Sequence, residues 1–269
     1  MSAPGPHPAS LLLRRSLATG LLCASALTMG LVALLTGGRA RGLVRRGLLG
    51  PTARAWLAIV GVKLERVPPS PFPDEPCFFV ANHTSALDNV VTAALGLPRT
   101  RFFTSRSTIP YLPVTLVNLA VGTFFLSEQH EPGKRVGEFT RATETLRRTG
   151  ESAFLTPEGF RNRSGRIARF NKAAFHMATV LRRPIVPLFY EVPPGTDPGM
   201  GFFPFPGPVR VHVLPAVRTE AWRLEDLESN AARVRELFVE QQRRLYGECV
   251  PWIRDAAPEP APALAPPSE

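Results

Sequence analysis

His83 and Asp88, in the run Asn82-His83-Thr84-Ser85-Ala86-Leu87-Asp88, are residue types suited to moving a proton. A histidine titrates near neutrality, and a carboxylate bonded to one ring nitrogen fixes the tautomer and leaves the other nitrogen as a base. An uninterrupted helix turns about 100° per residue, so a spacing of five would hold the two side chains roughly 140° apart. His83 must therefore leave the end of a strand, with Asp88 in the first turns of the helix that follows. Ser85 lies between them, but no G-x-S-x-G elbow surrounds it, and a helix N-cap is the role that its position suits.

A second cluster is Thr156-Pro157-Glu158-Gly159-Phe160-Arg161-Asn162-Arg163-Ser164-Gly165. Gly159 and Gly165 allow close backbone approach, and Arg161 and Arg163 offer forked donors that match a phosphate monoester or a similar anion. Glu158 reads either as the holder of an arginine or an acceptor hydroxyl, or as half of a structural Glu-Arg pair in a solvated loop. His130, His176 and His212 have no motif partners and read as surface or core residues.

The elements that must position these residues alternate. Residues 77–82, 101–105, 123–127, 152–156, 185–190 and 209–214 are short runs rich in Phe and Val and read as strands. Residues 86–96, 137–149 and 171–182 have helical spacing, and 222–246 form a longer amphipathic helix whose stripe of Leu224, Leu227, Val234, Leu237, Phe238 and Leu245 suits core packing. This alternation predicts an α/β fold, a mixed β-sheet covered by helices and preceded by N-terminal membrane-associated helices. Ile109–Leu126 is uncharged, but Pro110, Pro113, Asn118 and Gly122 interrupt it, so it reads as a buried wall or an acyl-chain groove, or as plain core, rather than a membrane span.

The chain has 269 residues, enough for one well-buried domain. Its 44% hydrophobic and 20% charged residues exclude a disordered or collagenous chain. Nine basic residues stand against the single acid Glu65 over residues 1–66, so most of the net charge of +10 lies there. Charge that brackets an apolar segment favours a membrane surface over nucleic acid. The segment, residues 17–36, is uncharged for twenty residues, which at about 1.5 Å each can cross a hydrocarbon core of about 30 Å. Its Gly, Ala, Ser and Thr content leaves a monotopic or hairpin anchor open. Arg39, Arg41, Arg45 and Arg46 behind it oppose translocation and predict that the bulk of the chain stays on the cytoplasmic side of an inner or cytoplasmic membrane. Residues 42–60 read as a second helix, interrupted at Gly50-Pro51 and lying on the bilayer surface. The expected organisation is an anchor over 1–62, a catalytic domain over 63–250 and a disordered Pro/Ala-rich tail over 251–269. Cys23, Cys77 and Cys249 are odd in number and form no C-x-x-C pair, which supports neither a disulfide framework nor a cysteine zinc site.

The two clusters, in this order and about 70 residues apart, resemble the glycerolipid acyltransferase family, with a match over roughly residues 60–215. Asn82–Asp88 looks like the family's NHxSxxD block, Pro157–Gly165 like its PEGTRSRSG block, and Pro184-Ile185-Val186-Pro187 like its apolar strand ending in proline. Three positions depart from the pattern. Glu128 stands where the second block usually has arginine, Phe160 replaces a threonine, and Ala173 replaces a frequent glycine; Lys134 and Arg135 lie close enough in sequence to supply the missing cation. The resemblance implies an O-acyltransferase that moves an acyl group from acyl-CoA or acyl-carrier protein to a lysophospholipid hydroxyl, foremost 1-acyl-sn-glycerol-3-phosphate. It further implies His83 and Asp88 as catalytic residues, Glu158, Gly159, Arg161, Arg163 and Pro187 as substrate-binding residues, and neither a metal nor a cofactor beyond the co-substrate. The alternatives are another acceptor, such as a lyso-ornithine lipid or a zwitterionic lysophospholipid, a non-catalytic lipid-binding relative, or a lipid hydrolase using Ser85.

Overall fold

The structure, a computed structural model, describes residues 8–128, 130–162, 164–199 and 201–247. The expected tail and Arg163 lie outside the described residues. The apolar runs form strands β1 (Val62–Val67), β2 (Phe78–Ala81), β3 (Thr100–Ser105), β4 (Phe124–Leu126), β5 (Ser152–Leu155), β6 (Ile185–Glu191) and β7 (Gly207–Val213). They make one sheet in the order β1-β7-β6-β2-β5-β3-β4. All neighbours are parallel except β6 and β7. The central strands β2, β5 and β6 are buried at every position, which is why they read as continuous apolar runs rather than alternating ones.

Helices cover both faces. On one face Phe79, Leu188 and Tyr190 pack against Trp56, Leu57 and Val91; on the other Phe78, Ile185 and Phe189 pack against Phe175, Met177, Val234 and Phe238. The helices are α1 (Pro8–Leu35), α2 (Arg41–Leu43), α3 (Gly50–Val60), α4 (Asp88–Leu95), α5 (Leu112–Val121), α6 (Pro132–Thr149), α7 (Ala173–Leu181) and α8 (Leu227–Tyr246). The expected α/β class is the observed one, a mixed sheet between helical layers.

Three elements differ from the sequence expectation. Strand β1 goes unread in the sequence because Lys63 and Glu65 alternate with Val62 and Leu64 and Arg66 follows, leaving an edge strand with one wet side. Ile109–Leu126 contains a regular helix, α5, because Pro113 falls within its first two positions, where its missing N–H costs nothing, and Gly122 caps the far end at φ +73°. The segment 41–60 is not broken at Gly50-Pro51. A π-helical turn over Val44–Leu49 precedes the proline, and this wider turn makes room for a ring that would otherwise strike the carbonyl one turn back. The inner face of α3, with Ala53, Trp56, Leu57 and Val60, is core rather than free surface.

Helix α1 is long and apolar enough to cross a membrane. Its Ser and Thr hydroxyls satisfy themselves on the preceding turn, as Thr19 on Arg15 O (2.9 Å) and Thr28 on Ala24 O (2.9 Å). It packs lengthwise on the domain: Ala18 joins the core with Trp56, and Met29 joins Val121 of α5. Its other side carries exposed Leu12, Leu13, Leu17, Leu27, Leu31, Leu34 and Leu35, and exposed Ile109, Tyr111, Leu112 and Leu119 flank or belong to neighbouring α5.

Buried Glu151 ties the N-terminal helices to the sheet by accepting from Arg45 of the π-turn and from Arg101 Nε of β3 (2.7 Å). Burial pushes its pKa up, but the Arg101 hydrogen bond and the two arginine charges outweigh that and leave it below the usual value. A depressed folded pKa contributes stability above the unfolded value of about 4.3, lost as pH falls through the folded one. Glu151→Gln should therefore be less stable than wild type at pH 7, with the gap in Tm closing below about pH 4. A gap independent of pH in melting curves would refute this.

Candidate active site

The site forms where β2 ends. Buried Asn82 closes the strand by accepting Tyr190 N–H (2.7 Å) and donating to Tyr190 O (3.1 Å), so the chain turns out of the sheet at His83 with no ladder bond lost. Asp88 is the first residue of α4, two residues later than the expected helix start. Its Oδ2 accepts from His83 Nδ1, Thr84 N and Ser85 N, each at 2.9 Å. One carboxylate thus orders the whole turn and orients the imidazole. His83 is 21% exposed at its side chain, and Nε2 makes no hydrogen bond among the described residues, so it is placed to take a proton.

Ser85 is not aligned on the histidine. Its hydroxyl donates to Asp197 Oδ1 (2.6 Å) and accepts Leu87 N–H (3.2 Å), so it pins the turn to the loop after β6 instead of capping α4. That loop continues to Phe202 and Phe203, which pack on Trp56 with ring centroids at 5.7 and 6.0 Å. Asp197 is a positioning residue that the sequence does not disclose, since its partner lies 112 residues away.

Glu158 holds neither an arginine nor open space. It is 1% exposed; Oε1 accepts His83 N–H (2.9 Å), and Oε2 accepts Asn162 Nδ2 (2.9 Å) and Ala168 N–H (3.0 Å). Burial pushes its pKa up against the pull of these donors. Asn162 N–H in turn donates to His83 O (2.7 Å), so the second cluster grips the first through the backbone of the histidine itself. Gly159 adopts φ +77°, which lets Pro157 and Glu158 turn inward while exposed Phe160 and half-buried Arg161 face out. Pro187 sits inside the buried strand β6, in register with Val80, with its carbonyl accepting Leu214 N–H (2.9 Å). Its observed contacts are those of a buried sheet residue. Glu128 accepts from Ser105 Oγ. Of the cations proposed to compensate for it, Lys134 pairs with Glu131, and Arg135 donates to Ser127 O (2.7 Å) and covers Phe139.

An apolar cavity of about 220 Å³ adjoins the turn, reaching Ala86 and Asn89 on either side of Asp88. Leu22 and Met29 of α1, Trp56 of α3, Val117 of α5 and Phe154 of β5 wall it. The run Ile109–Leu126 thus contributes to a groove as well as to core. Among the described residues no cluster of His, Cys, Asp and Glu could hold a metal ion.

The Acyltransferase family model matches residues 60–191, from β1 through the end of β6, and so takes in His83, Asp88 and Glu158. The chain belongs to the glycerolipid acyltransferase family. It is 28% identical over 213 residues to human 1-acyl-sn-glycerol-3-phosphate acyltransferase beta, covering 77% of this chain and 76% of that protein. A chloroplastic 1-acyl-sn-glycerol-3-phosphate acyltransferase of Brassica napus is 33% identical over 125 residues, covering 46% of this chain, which spans only 35% of that protein's length. The crystal structure of the 1-acyl-sn-glycerophosphate acyltransferase PlsC from Thermotoga maritima superposes with a TM-score of 0.63 at 18% identity, over 86% of this chain and 97% of that one, a likeness of fold. The mixed sheet between helical layers is thus a fold that this acyltransferase shares with a solved structure.

Proposed function

We propose that this acyltransferase moves a fatty acyl group from an acyl-CoA or acyl-carrier-protein thioester to the hydroxyl of a lysophospholipid, with 1-acyl-sn-glycerol-3-phosphate as its foremost acceptor. The observation that carries this reading is the His83–Asp88 pair, in a turn that adjoins an apolar cavity. His83 Nε2 takes the hydroxyl proton as the acceptor oxygen attacks the thioester carbonyl. The tetrahedral intermediate then collapses, the C–S bond breaks, and the imidazolium returns the proton to the departing thiolate. Asp88 stabilises the imidazolium and holds the tautomer. The amides of Thr84, Ser85, Leu87 and Asp88 already have acceptors, so they are not free to steady the oxyanion. The cavity walled by α1, α3, α4 and α5 takes an acyl chain. The names of the relatives support the acceptor class.

The exposed leucines of α1 and the apolar edge of α5 form the surface that meets the bilayer, with Arg39, Arg41 and Arg46 at anionic headgroups and the catalytic domain on the cytoplasmic side. A helix packed lengthwise on the domain favours lying within one leaflet over crossing both. Arg161 reads the headgroup, because it follows the Gly159 turn and its fork suits two phosphate oxygens.

The test is lysolipid-dependent release of free thiol by carbonate-washed membranes. Arg161→Ala should cost kcat/KM for 1-acyl-sn-glycerol-3-phosphate about 1.5 to 3 kcal/mol, the worth of a charged hydrogen bond, and cost a zwitterionic lysolipid far less. Glu128→Arg should shift preference toward the anionic acceptor. Thiol release independent of added lysolipid would overturn the acceptor class, loss of the enzyme to the carbonate wash would overturn the insertion, and equal losses on both acceptors would remove Arg161 from the headgroup.

A further inference from the structure

The segment that leaves β6 and returns at β7 carries two large apolar side chains that the core does not take in. Phe202 and Phe205 are each 46% exposed. The backbone beneath them is stiff. Buried Pro204 lies between them and Pro206 follows, each with φ fixed by its ring, and Phe205 N–H donates to Thr196 O (3.1 Å). Phe203 turns inward instead and stacks on Trp56, with 6.0 Å between ring centroids.

Single exposed apolar residues are ordinary on a protein surface, so the surroundings decide what these two mean. The segment lies against the first half of α1. The Arg15 guanidinium covers the Phe203 ring at 5.8 Å, and that of Arg14 reaches Gly61, where it and Pro206 would both meet an added Cβ, at 2.6 and 2.9 Å. Neither guanidinium has a carboxylate partner among the described residues. Exposed Leu12, Leu13 and Leu17 belong to the same half of the helix. Exposed rings and leucines beside arginines without carboxylates are the composition of a bilayer interface, where the rings enter the acyl boundary and the guanidiniums stay at the phosphates.

Phe202 links this surface to the site. It lines the apolar cavity while half exposed, and so stands at its mouth. The same segment is pinned to the histidine turn through Asp197 and Ser85 (2.6 Å). The α5 surface lies further along α1: Met29, which packs on Val121, is roughly 20 Å from Arg15 at about 1.5 Å per residue. With α1 lying along the domain, one leaflet meets both surfaces.

We propose that residues 202–206, with Arg14 and Arg15, form a second contact with an anionic phospholipid leaflet, set beside the mouth of the apolar cavity. Two contacts resist the tipping that one would allow, and they hold the mouth at the level of the acyl chains. The assignment rests on the reading above that α1 lies in the bilayer.

The test uses the full-length enzyme reconstituted with vesicles of phosphatidylcholine, with or without phosphatidylglycerol, and reads tryptophan emission. Phe205→Trp adds an indole to the three native ones, and its signal is the difference from wild type. Leu224→Trp, at a similarly exposed site (51%) in the turn before α8, on the other side of the sheet, is the control. The Phe205→Trp signal should shift to the blue on vesicles and be largely lost when the phosphatidylcholine is brominated in its acyl chains, with Leu224→Trp unaffected. Adding Arg14→Gln to Phe205→Trp should reduce that loss on vesicles containing phosphatidylglycerol, since a basic residue at an anionic surface is worth about fivefold in binding. Phe205→Trp emission that brominated lipid leaves unchanged, or equal quenching at residues 205 and 224, overturns the contact. An Arg14→Gln effect of the same size on neutral vesicles overturns the preference for anionic lipid. Flotation separates this contact from the reading it rests on: enzyme that floats with the vesicles but shows no quenching at residue 205 removes the second contact alone, and enzyme that does not float overturns both.

Discussion

His83→Ala should lower kcat by about 10²- to 10⁴-fold, the usual worth of a positioned general base, without unfolding the protein. The fold is spared because the contacts that anchor residue 83 are made by its backbone, N–H to Glu158 and carbonyl to Asn162 N–H, and alanine keeps both. Only the ring and its bond to Asp88 are lost. Asp88→Asn separates the two functions of that carboxylate. The amide oxygen can still accept from the Thr84 and Ser85 amides, but the anion that stabilises the imidazolium is gone, so the rate should fall severely while some activity remains. Thermal melts alongside turnover decide the matter. Near-normal turnover in purified His83→Ala would end the base assignment, and a collapse of Tm in that variant would mean the ring is structural.

Glu158→Ala should be among the most damaging single changes available, at about 3 to 5 kcal/mol of stability together with loss of activity. The magnitude follows from the orphans: two main-chain amides, of His83 and Ala168, and the Asn162 side chain would lose their acceptor in a place water does not reach. Glu158→Gln keeps one oxygen but turns an NH₂ toward a donor, and should lie between. Denaturant unfolding in detergent gives the size. If Glu158→Gln keeps full stability and raises KM for the acceptor, the residue touches substrate and does not act by holding the His83 and Ala168 amides.

That contrast shows what can be read from the chain before it folds. The His83–Asp88 relation was legible because it is local: a spacing of five excludes an uninterrupted helix and leaves a strand-to-helix turn as the solution. The buried strands were legible as continuous apolar runs, whereas their order in the sheet was not, because it is set by contacts between distant segments. The role of Glu158 was not, because a carboxylate after a strand looks the same in sequence whether it faces water or the backbone of a residue 75 positions earlier. The bond from Asp197 to Ser85 gave no signal at all. Strand β1 hid behind its charges, and α5 behind two prolines, one of which sits where a helix tolerates it.

The outward leucines of α1 and the apolar edge of α5 belong to the same two helices that wall the apolar cavity. Meeting its acceptor in the bilayer would change the concentration that governs the enzyme. A lysolipid arriving sideways through the leaflet is counted per unit of surface, so diluting it with inert phospholipid should slow turnover at constant bulk concentration, whereas adding buffer should not. On the proposed function, kinetic constants for this acyltransferase would acquire meaning in mole fraction, and values in molar units would track the area of interface in the assay.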